Sequence, residues 1–291
     1  MNPVKIWTLA SRPKTLLAAL VPVTVGAAIA ASEGKIDYIS TFIALVCAVL
    51  IQIGTNFVND LYDHLKGADT KKRVGPVRVL NAGLVSVKQM RIAIAIVFSI
   101  SFFIGLILVD KGGVPVLMIG VASLLAGYAY TAGPFPLAYK GLGDIFVFIF
   151  FGFVATVGTY YINTLSVTMI PILASIPVGA LITNILVVNN YRDIDQDKIA
   201  GKITLAVRIG KKNTRYEYIF LILTSFITPV LIYFVGKQGL WILLPYLTLP
   251  LGLRLIRMLN QYTGPQLNST LELTAKFSAL YGLLFALGFI L

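Results

Sequence analysis

Acidic and amide side chains gather in a short stretch between residues 56 and 69. Along the chain they are Asn56, Asn59, Asp60, Asp63 and Asp69. In an α-helix, which has about 3.6 residues per turn, the first four share one face. Carboxylate and amide oxygens are hard ligands, which suit Mg²⁺ better than Zn²⁺. The stretch is therefore a candidate site for a divalent cation.

A second stretch of the same composition covers residues 189–197. Asn189, Asp193 and Asp197 recur every four residues and would share a helix face, whereas Asp195 would point elsewhere. If the faces of the two stretches meet, their carboxylates would repel one another unless cations neutralise them. Mg²⁺ in proteins usually shares its coordination shell with substrate phosphates. The pair of stretches therefore predicts a magnesium site that also binds a diphosphate.

The alternative is that these acids are solvated loop residues that balance the basic residues around them. A single pair of aspartates four residues apart would favour that alternative. Two matched stretches, each with asparagine one turn before aspartate, favour a cation site instead. The two stretches together contain six of the twelve acidic residues of the chain.

The rest of the sequence is typical of a membrane protein. Hydrophobic residues make up 57% of it and charged residues only 12%, and the mean hydropathy is +0.86. Soluble domains carry about 25% charged residues, so this chain could not cover its surface with polar groups in water. Apolar runs recur along the whole length, which predicts a single all-α, polytopic membrane domain over residues 1–291. The single Cys47 excludes an intramolecular disulfide and a cysteine-based metal site.

Nine apolar stretches are long enough to cross a bilayer, since each crossing needs about 20 residues. The two acidic stretches begin at the ends of the second and sixth spans. Their similarity suggests a weak internal repeat, in which spans 1–4 correspond to spans 5–8 and span 9 follows. The predicted spans cover residues 15–32, 41–59, 90–109, 114–131, 144–161, 170–189, 216–235, 240–256 and 274–291.

The basic residues orient these spans. Lys35, Lys111 and Lys237 fall on one side of the predicted membrane, which leaves 21 of the 24 basic residues on the other. Positive charge stays on the cytoplasmic side of membrane proteins. We therefore predict a cytoplasmic N-terminus, an extracytoplasmic C-terminus and a multi-pass protein of the inner cell membrane. This distribution also explains the net charge of +12 without a nucleic-acid partner.

The two acidic stretches resemble the aspartate-rich motifs of the UbiA-type aromatic prenyltransferases, a family of nine-helix membrane proteins. The family's motifs are N-D-x2-D-x3-D after helix two and D-x3-D after helix six, and residues 59–63 and 193–197 match them. Gly67 stands where the third acid of the first motif would be, and Asp69 follows two residues later. The branch of the family that prenylates 1,4-dihydroxy-2-naphthoate has this same departure.

Further segments resemble that branch, and they cover most of the predicted cytoplasmic surface. One family feature, Tyr-x3-Lys before the fifth span, is altered, because Pro136 takes the place of the tyrosine before Lys140. The matching segments are R-P-K-T at 12–15, G-P-V-R at 75–78, Y-T-A-G-P at 130–134, G-L-G-D at 141–144 and residues 189–208.

The resemblance implies Mg²⁺-dependent transfer of a polyprenyl group from a polyprenyl diphosphate to an aromatic acceptor, with the prenyl tail in contact with membrane lipid. The branch implies 1,4-dihydroxy-2-naphthoate, which loses its carboxylate as CO₂ to give demethylmenaquinone. A sister enzyme acting on homogentisate, 4-hydroxybenzoate or another naphthoate is the nearest alternative. A secondary transporter is the alternative of another class, although the acids here lie at span ends and not at the membrane midplane.

The resemblance also assigns roles to individual residues. Asp60, Asp63, Asp193 and Asp197 would be catalytic by holding Mg²⁺, and further candidate ligands are Asn59, Asn189 and Asp69.

The remaining candidates would bind substrate. Arg12 or Lys14 would hold the acceptor carboxylate, unless they are ordinary positive-inside charge. Tyr130 and Tyr139 would offer ring faces to an allylic cation, unless they belong to an interfacial aromatic belt. The other candidates, mostly partners for phosphate or carboxylate, are Asn56, Lys66, Arg73, Arg78, Lys140, Arg192 and Lys202.

Overall fold

The computed structural model describes residues 1–68, 75, 77–236 and 238–291. Within these ranges every regular element is helical, which confirms the predicted all-α class. Of the residues discussed above, Asp69, Arg73, Pro76 and Lys237 fall outside the ranges. The helices are α1 (Pro3–Ser11), α2 (Pro13–Ser32), α3 (Tyr38–Leu65), α4 (Val87–Ala129), α5 (Gly143–Val147), α6 (Ala155–Thr164), α7 (Met169–Ile199), α8 (Leu205–Val235), α9 (Leu249–Gln261) and α10 (Leu267–Ile290).

Four shorter segments link or extend these helices. A π-helical segment, Phe148–Val154, joins α5 to α6 into one continuous span. A 3₁₀ segment, Leu240–Thr248, leads directly into α9. Two further 3₁₀ turns are Leu137–Lys140 before α5 and Gly264–Gln266 before α10.

Eight helical stretches of the described chain are long and apolar enough to cross a membrane, one fewer than predicted. The difference lies in α4, whose 43 residues would extend about 65 Å, twice the thickness of the bilayer core. Gly113 breaks this helix with φ 65° and ψ −157°. Phe98, before the break, contacts Gly54 of α3 and lies near Gly127, after the break. The chain therefore reverses at Gly113, and α4 contains the predicted third and fourth spans.

The two acidic stretches lie at the ends of unusually long helices. α3 has 28 residues and α7 has 31, so they extend about 42 and 46 Å. Both exceed the bilayer core of about 30 Å, so their last turns project beyond the hydrocarbon. This projection brings Asp63 and Asp193 to the polar edge of the bundle while they remain on regular helix.

The bundle is organised around α7 and α2. In the most apolar part of each helix, 67% of α7 and 61% of α2 is buried, against 17% of α4. Large apolar side chains of α4, such as Ile96 and Phe103, are exposed and would face lipid. The Cβ of any residue replacing Gly152 would lie 2.9 Å from the Cα of Gly179, so glycine allows the span that begins at α5 to pack directly on α7. The start of α5 is thereby held in the same end of the bundle as the acidic end of α7.

Candidate active site

The ends of α3 and α7 meet around one polar cavity of about 60 Å³. The end of α3 contributes Asn59 and Asp63 to its lining, and the end of α7 contributes Asn189, Asp193 and Asp197. These three residues of α7 are the ones that the helical period placed on one face. Further lining comes from Arg12, Arg78, Tyr130, Asp144 and Lys202.

Asp63 is buried at the centre of a group of polar side chains from three other segments. Its Oδ1 accepts a hydrogen bond from the hydroxyl of Tyr139 at 2.8 Å. Its Oδ2 lies 3.2 Å from Nη2 of Arg78 and 3.6 Å from Nζ of Lys202. Because both cations also line the cavity, Asp63 holds two positive charges beside the space where an anion would bind.

Asp60 is not among the residues that line the cavity, although the sequence predicts it as a metal ligand. It is buried, and its Oδ2 accepts a hydrogen bond from the backbone N–H of Val79 at 3.2 Å. Successive helical residues lie about 100° apart around the axis, so Asp60 turns away when Asn59 faces the cavity. In this structure Asp60 anchors the chain next to Arg78.

The two asparagines of the first stretch also contact neighbouring segments. The amide of Asn56 donates to the carbonyl of Ser11 at 2.9 Å and to the hydroxyl of Thr15 at 3.1 Å. This contact joins α3 to the junction of α1 and α2. Asn59 Oδ1 accepts a hydrogen bond from the hydroxyl of Thr131 at 2.6 Å. Asn56 therefore positions the helix ends without lining the polar cavity.

Asp193 is paired with its neighbour in sequence, Arg192. The guanidinium forms a fork in which Nε lies 2.7 Å from Oδ1 and Nη2 lies 2.6 Å from Oδ2. The remaining guanidinium hydrogen bonds go to Oδ1 of Asn189 at 2.9 Å and to Oδ1 of Asn268 at 2.8 Å. Arg192 thus orients two cavity-lining side chains, and it does so from a fully buried position.

The other predicted basic residues occupy different places. Lys14 is exposed and pairs with Glu272 at 2.6 Å, away from the cavity. Lys140 is exposed and its ammonium lies 5.7 Å from the ring of Phe135. The structure therefore brings neither lysine to the cavity, and Arg73 is outside the described residues.

Lys66 lies close to the cavity without lining it. Its ammonium donates to the carbonyl of Thr131 at 2.8 Å and lies 4.1 Å from the centre of the Tyr139 ring. Partial burial lowers the pKa of Lys66, and the nearby Lys202 lowers it further, whereas Asp63 raises it. Tyr139 therefore contacts both residues: its ring face contacts the ammonium of Lys66, and its hydroxyl donates to Asp63.

No three His, Cys, Asp or Glu side chains in the described ranges come close enough to form a metal site on their own. Two acids of the cavity are instead paired with bases, Asp63 with Arg78 and Lys202 and Asp193 with Arg192. The donor set is nevertheless the one that Mg²⁺ prefers, with carboxylate and amide oxygens from two helix ends. Mg²⁺ rarely has a shell made only of protein, so a set completed by phosphate oxygens fits the cavity. Asp69, a further predicted ligand, lies outside the described residues.

Asp144 is a cavity residue that the sequence interpretation missed. It lies in the first turn of α5, is 4% exposed and lines the polar cavity. In the sequence its segment, G-L-G-D, stands out only by its resemblance to the family. The sequence does contain a physical signal for Asp144, namely an acidic residue at the start of an apolar span. Such residues are rare and indicate a functional position by default.

A second cavity, mostly apolar and about 360 Å³ in volume, runs between α2, α3, α4, α6 and α7. Its walls include small residues such as Gly105, Gly120 and Gly158. Five residues line both cavities and mark the place where they meet: Arg12, Asn59, Tyr130, Leu186 and Asn189. A ligand with a polar head and a long apolar tail would fit across this junction.

The fold and the two cavities define a multi-pass membrane protein with a polar site that opens into a lipid-sized apolar space. The sequence profile of the UbiA prenyltransferase family matches residues 19–280. The chain belongs to this family, as its aspartate motifs predict.

Curated relatives cover nearly the whole chain. The 1,4-dihydroxy-2-naphthoate octaprenyltransferase of Escherichia coli is 35% identical, covering 98% of this chain and 95% of that protein. The protein of the same description from Bacillus subtilis is 30% identical over 98% of this chain and 92% of its own length. The UbiA prenyltransferase domain-containing protein 1 of Dictyostelium discoideum is 32% identical over 97% and 86%.

Solved structures share the fold. A UbiA homolog from Archaeoglobus fulgidus, bound to GPP and Mg²⁺, superposes with a TM-score of 0.68 at 17% identity, covering 98% of this chain and 99% of that one. A UbiA homolog from Aeropyrum pernix superposes with a TM-score of 0.71 at 14% identity, covering 96% and 98%. The chain is therefore a helical membrane bundle of the UbiA type.

Proposed function

We propose that this prenyltransferase moves a polyprenyl group from polyprenyl diphosphate to 1,4-dihydroxy-2-naphthoate, which loses its carboxylate as CO₂ and gives demethylmenaquinone. The observation that carries the proposal is the junction between the polar and the apolar cavity. A diphosphate needs the first and an isoprenoid tail needs the second. The acceptor is inferred from curated relatives described as 1,4-dihydroxy-2-naphthoate octaprenyltransferases, at 35% and 30% identity.

We assign the metal site to Asp63, Asp193 and Asp197, with Asn59 and Asn189 as amide ligands. All five line the same cavity. Bound Mg²⁺ would neutralise the negative charge that builds on the diphosphate as the allylic C–O bond breaks. Asp60 keeps a supporting role, since it holds the backbone at Val79 beside Arg78.

Arg78 and Lys202 would bind the diphosphate. Both contact Asp63 and both line the cavity. When Asp63 is engaged with a cation, these two bases are placed to pair with phosphate oxygens instead. Arg192 would act indirectly, because its fork keeps the carboxylate of Asp193 in a fixed orientation.

The cavity junction would protect the allylic cation from water. Leu186 and Tyr130 lie at the junction, on the side where the apolar cavity begins. An apolar surrounding excludes water that would otherwise capture the cation, and the ring face of Tyr130 would attract its positive charge. The prenyl tail would then lie along the apolar cavity, beside the exposed faces of α4.

The site would face the cytoplasm, where charged substrates are available. Most basic residues of the sequence fall on the predicted cytoplasmic side, and the ends of α3 and α7 lie there too. A topology reporter fused after Leu291 should therefore report an extracytoplasmic position. A cytoplasmic signal would contradict both the orientation and the count of nine spans.

The acceptor is tested by product analysis. Membranes containing the protein are incubated with one polyprenyl diphosphate and either 1,4-dihydroxy-2-naphthoate, 4-hydroxybenzoate or homogentisate, and the lipid extract is analysed by mass spectrometry. We expect a product only with the naphthoate, at a mass that shows loss of CO₂. EDTA should stop its formation and added Mg²⁺ should restore it. A product from another acceptor instead would replace the proposed acceptor, and turnover in EDTA would contradict the metal site.

A further inference from the structure

Asp144 is a cavity-lining acid with one unsatisfied carboxylate oxygen. Its Oδ2 is buried and has no hydrogen-bond partner among the described residues. The residue is 4% exposed and lines the polar cavity. A buried polar atom without a partner is costly, and in native proteins such an atom is usually satisfied by water or a ligand. The side chain is therefore positioned for a hydrogen-bond donor that enters the cavity.

The surroundings of Asp144 place it beside the junction of the two cavities. A Cβ built on the preceding Gly143 would lie 3.1 Å from the hydroxyl oxygen of Tyr130, so this tyrosine packs directly on the start of α5. Tyr130 and Arg12 line both cavities. Transfer must occur at this junction, because the reacting carbon of the donor joins the diphosphate to the tail. The acceptor ring therefore has to lie within reach of the groups gathered here.

The chemistry of these groups matches a hydroxylated aromatic acid. Arg12 is a cation suited to a carboxylate, whereas a carboxylate such as Asp144 accepts hydrogen bonds and, without a cation between them, would repel a diphosphate. A phenolic hydroxyl is a strong donor to a carboxylate. We propose that Asp144 accepts a hydrogen bond from a ring hydroxyl of the aromatic acceptor, with Tyr130 beside it and Arg12 facing the acceptor's carboxylate. This inference rests on the proposed function and specifies how its acceptor is recognised.

The test compares ligands with and without the hydroxyl. Binding of 1,4-dihydroxy-2-naphthoate and of 2-naphthoate to the purified full-length protein is measured by calorimetry, in detergent and without oxygen. A hydrogen bond to a charged group predicts that Asp144→Ala weakens binding of the dihydroxy ligand by about 10- to 100-fold. Binding of 2-naphthoate, which lacks the donors, should stay unchanged. Affinity for the polyprenyl diphosphate should also stay unchanged.

Two further variants separate recognition from structure. Asp144→Asn keeps the shape of the side chain, so it replaces the alanine variant if that variant does not fold. It should weaken binding of 1,4-dihydroxy-2-naphthoate and leave binding of 2-naphthoate unchanged. Asp195→Ala is the matched control, because that acid is exposed on the other side of α7. Equal loss for both naphthoates, or a parallel loss of diphosphate affinity, would show that Asp144 acts through structure or metal and would overturn the inference.

Failure of the proposed function gives a different result. If the wild-type protein converts 4-hydroxybenzoate and not the naphthoate, the acceptor of the proposed function is wrong. The same comparison is then made with 4-hydroxybenzoate and benzoate, which differ by one ring hydroxyl. If the naphthoate is converted and both Asp144 variants bind it normally, the proposed function stands and only the role of Asp144 is lost.

Discussion

The ends of α3 and α7 carry the same pattern of amides and acids, but they hold their acids in different ways. Asp63 on α3 is contacted by Arg78, Tyr139 and Lys202, which come from three other segments. Asp193 on α7 is paired with Arg192, its neighbour on the same helix. Two motifs that look equivalent in sequence are therefore unequal in structure.

A buried acid can stabilise the tertiary structure, line the site, or do both, and the two aspartates differ in this respect. Asp63 links the end of α3 to the segments around it, so it stabilises the tertiary structure and also lines the site. Asp193 lines the site, while Arg192 makes the connection to α10 through Asn268. Loss of the first acid should therefore affect stability and activity together, and loss of the second should affect mainly activity.

The largest effect is expected for Asp63→Asn. This substitution removes the negative charge that neutralises Arg78 and Lys202. Breaking a buried ion pair lowers the free energy of unfolding by about 3 kcal/mol. It also removes a proposed metal ligand, so the transfer rate should fall about 10³-fold. Thermal unfolding in detergent and single-turnover transfer measure the two effects. Wild-type stability in this variant would contradict the linking role of Asp63.

Asp193→Asn should separate the two effects. We expect a comparable loss of transfer, about 10²- to 10³-fold, because the carboxylate lines the same cavity. The loss of stability should be smaller, about 1–2 kcal/mol, since Arg192 keeps its hydrogen bonds to Asn189 and Asn268. If this variant unfolds as readily as Asp63→Asn, the two helix ends are equivalent after all.

Arg192→Lys tests whether the fork itself matters. Lysine keeps the positive charge but has no planar pair of donors, so it cannot hold both oxygens of Asp193 and both asparagines. We expect transfer to fall about 10- to 100-fold with the fold retained. The fall should appear in the turnover rate at saturating diphosphate, because Asp193 would be misoriented. Unchanged turnover would indicate that the charge alone suffices.

The smallest effect is expected for Asp195→Asn. This acid lies within the second motif, but its side chain is 79% exposed and pairs with Lys211, which is 54% exposed, at 2.9 Å. Exposed pairs contribute about 0.5 kcal/mol or less. Activity and stability should both stay close to wild type. A large loss of transfer would show that the whole acidic stretch of α7 acts as one unit, against the assignment by helix face.

Several features of the site followed from the sequence because they are local. The four-residue spacing of Asn189, Asp193 and Asp197 placed them on one face of α7, and all three line the cavity. The same reasoning grouped Asp60 with Asp63, but only Asp63 lines the cavity. A helical face is broad, and the period cannot decide which part of it meets the partner helix.

Other features depended on contacts between distant residues. Lys14 and Arg12 are two positions apart, yet one pairs with Glu272 at the surface and the other lines both cavities. Asp144 is identified by its burial and its unsatisfied oxygen, and both are properties of the tertiary structure. Such choices are made by packing, for which the sequence offers no short-range signal.

The sequence by itself determined the membrane class, the helical spans and the family, because hydrophobic length and helical period act within one segment. Only the tertiary structure decided which side of each helix end faces the shared cavity, which bases neutralise which acids, and where the polar space opens into the apolar one. These outcomes depend on how α2, α3 and α7 pack together, and packing joins residues that are far apart along the chain.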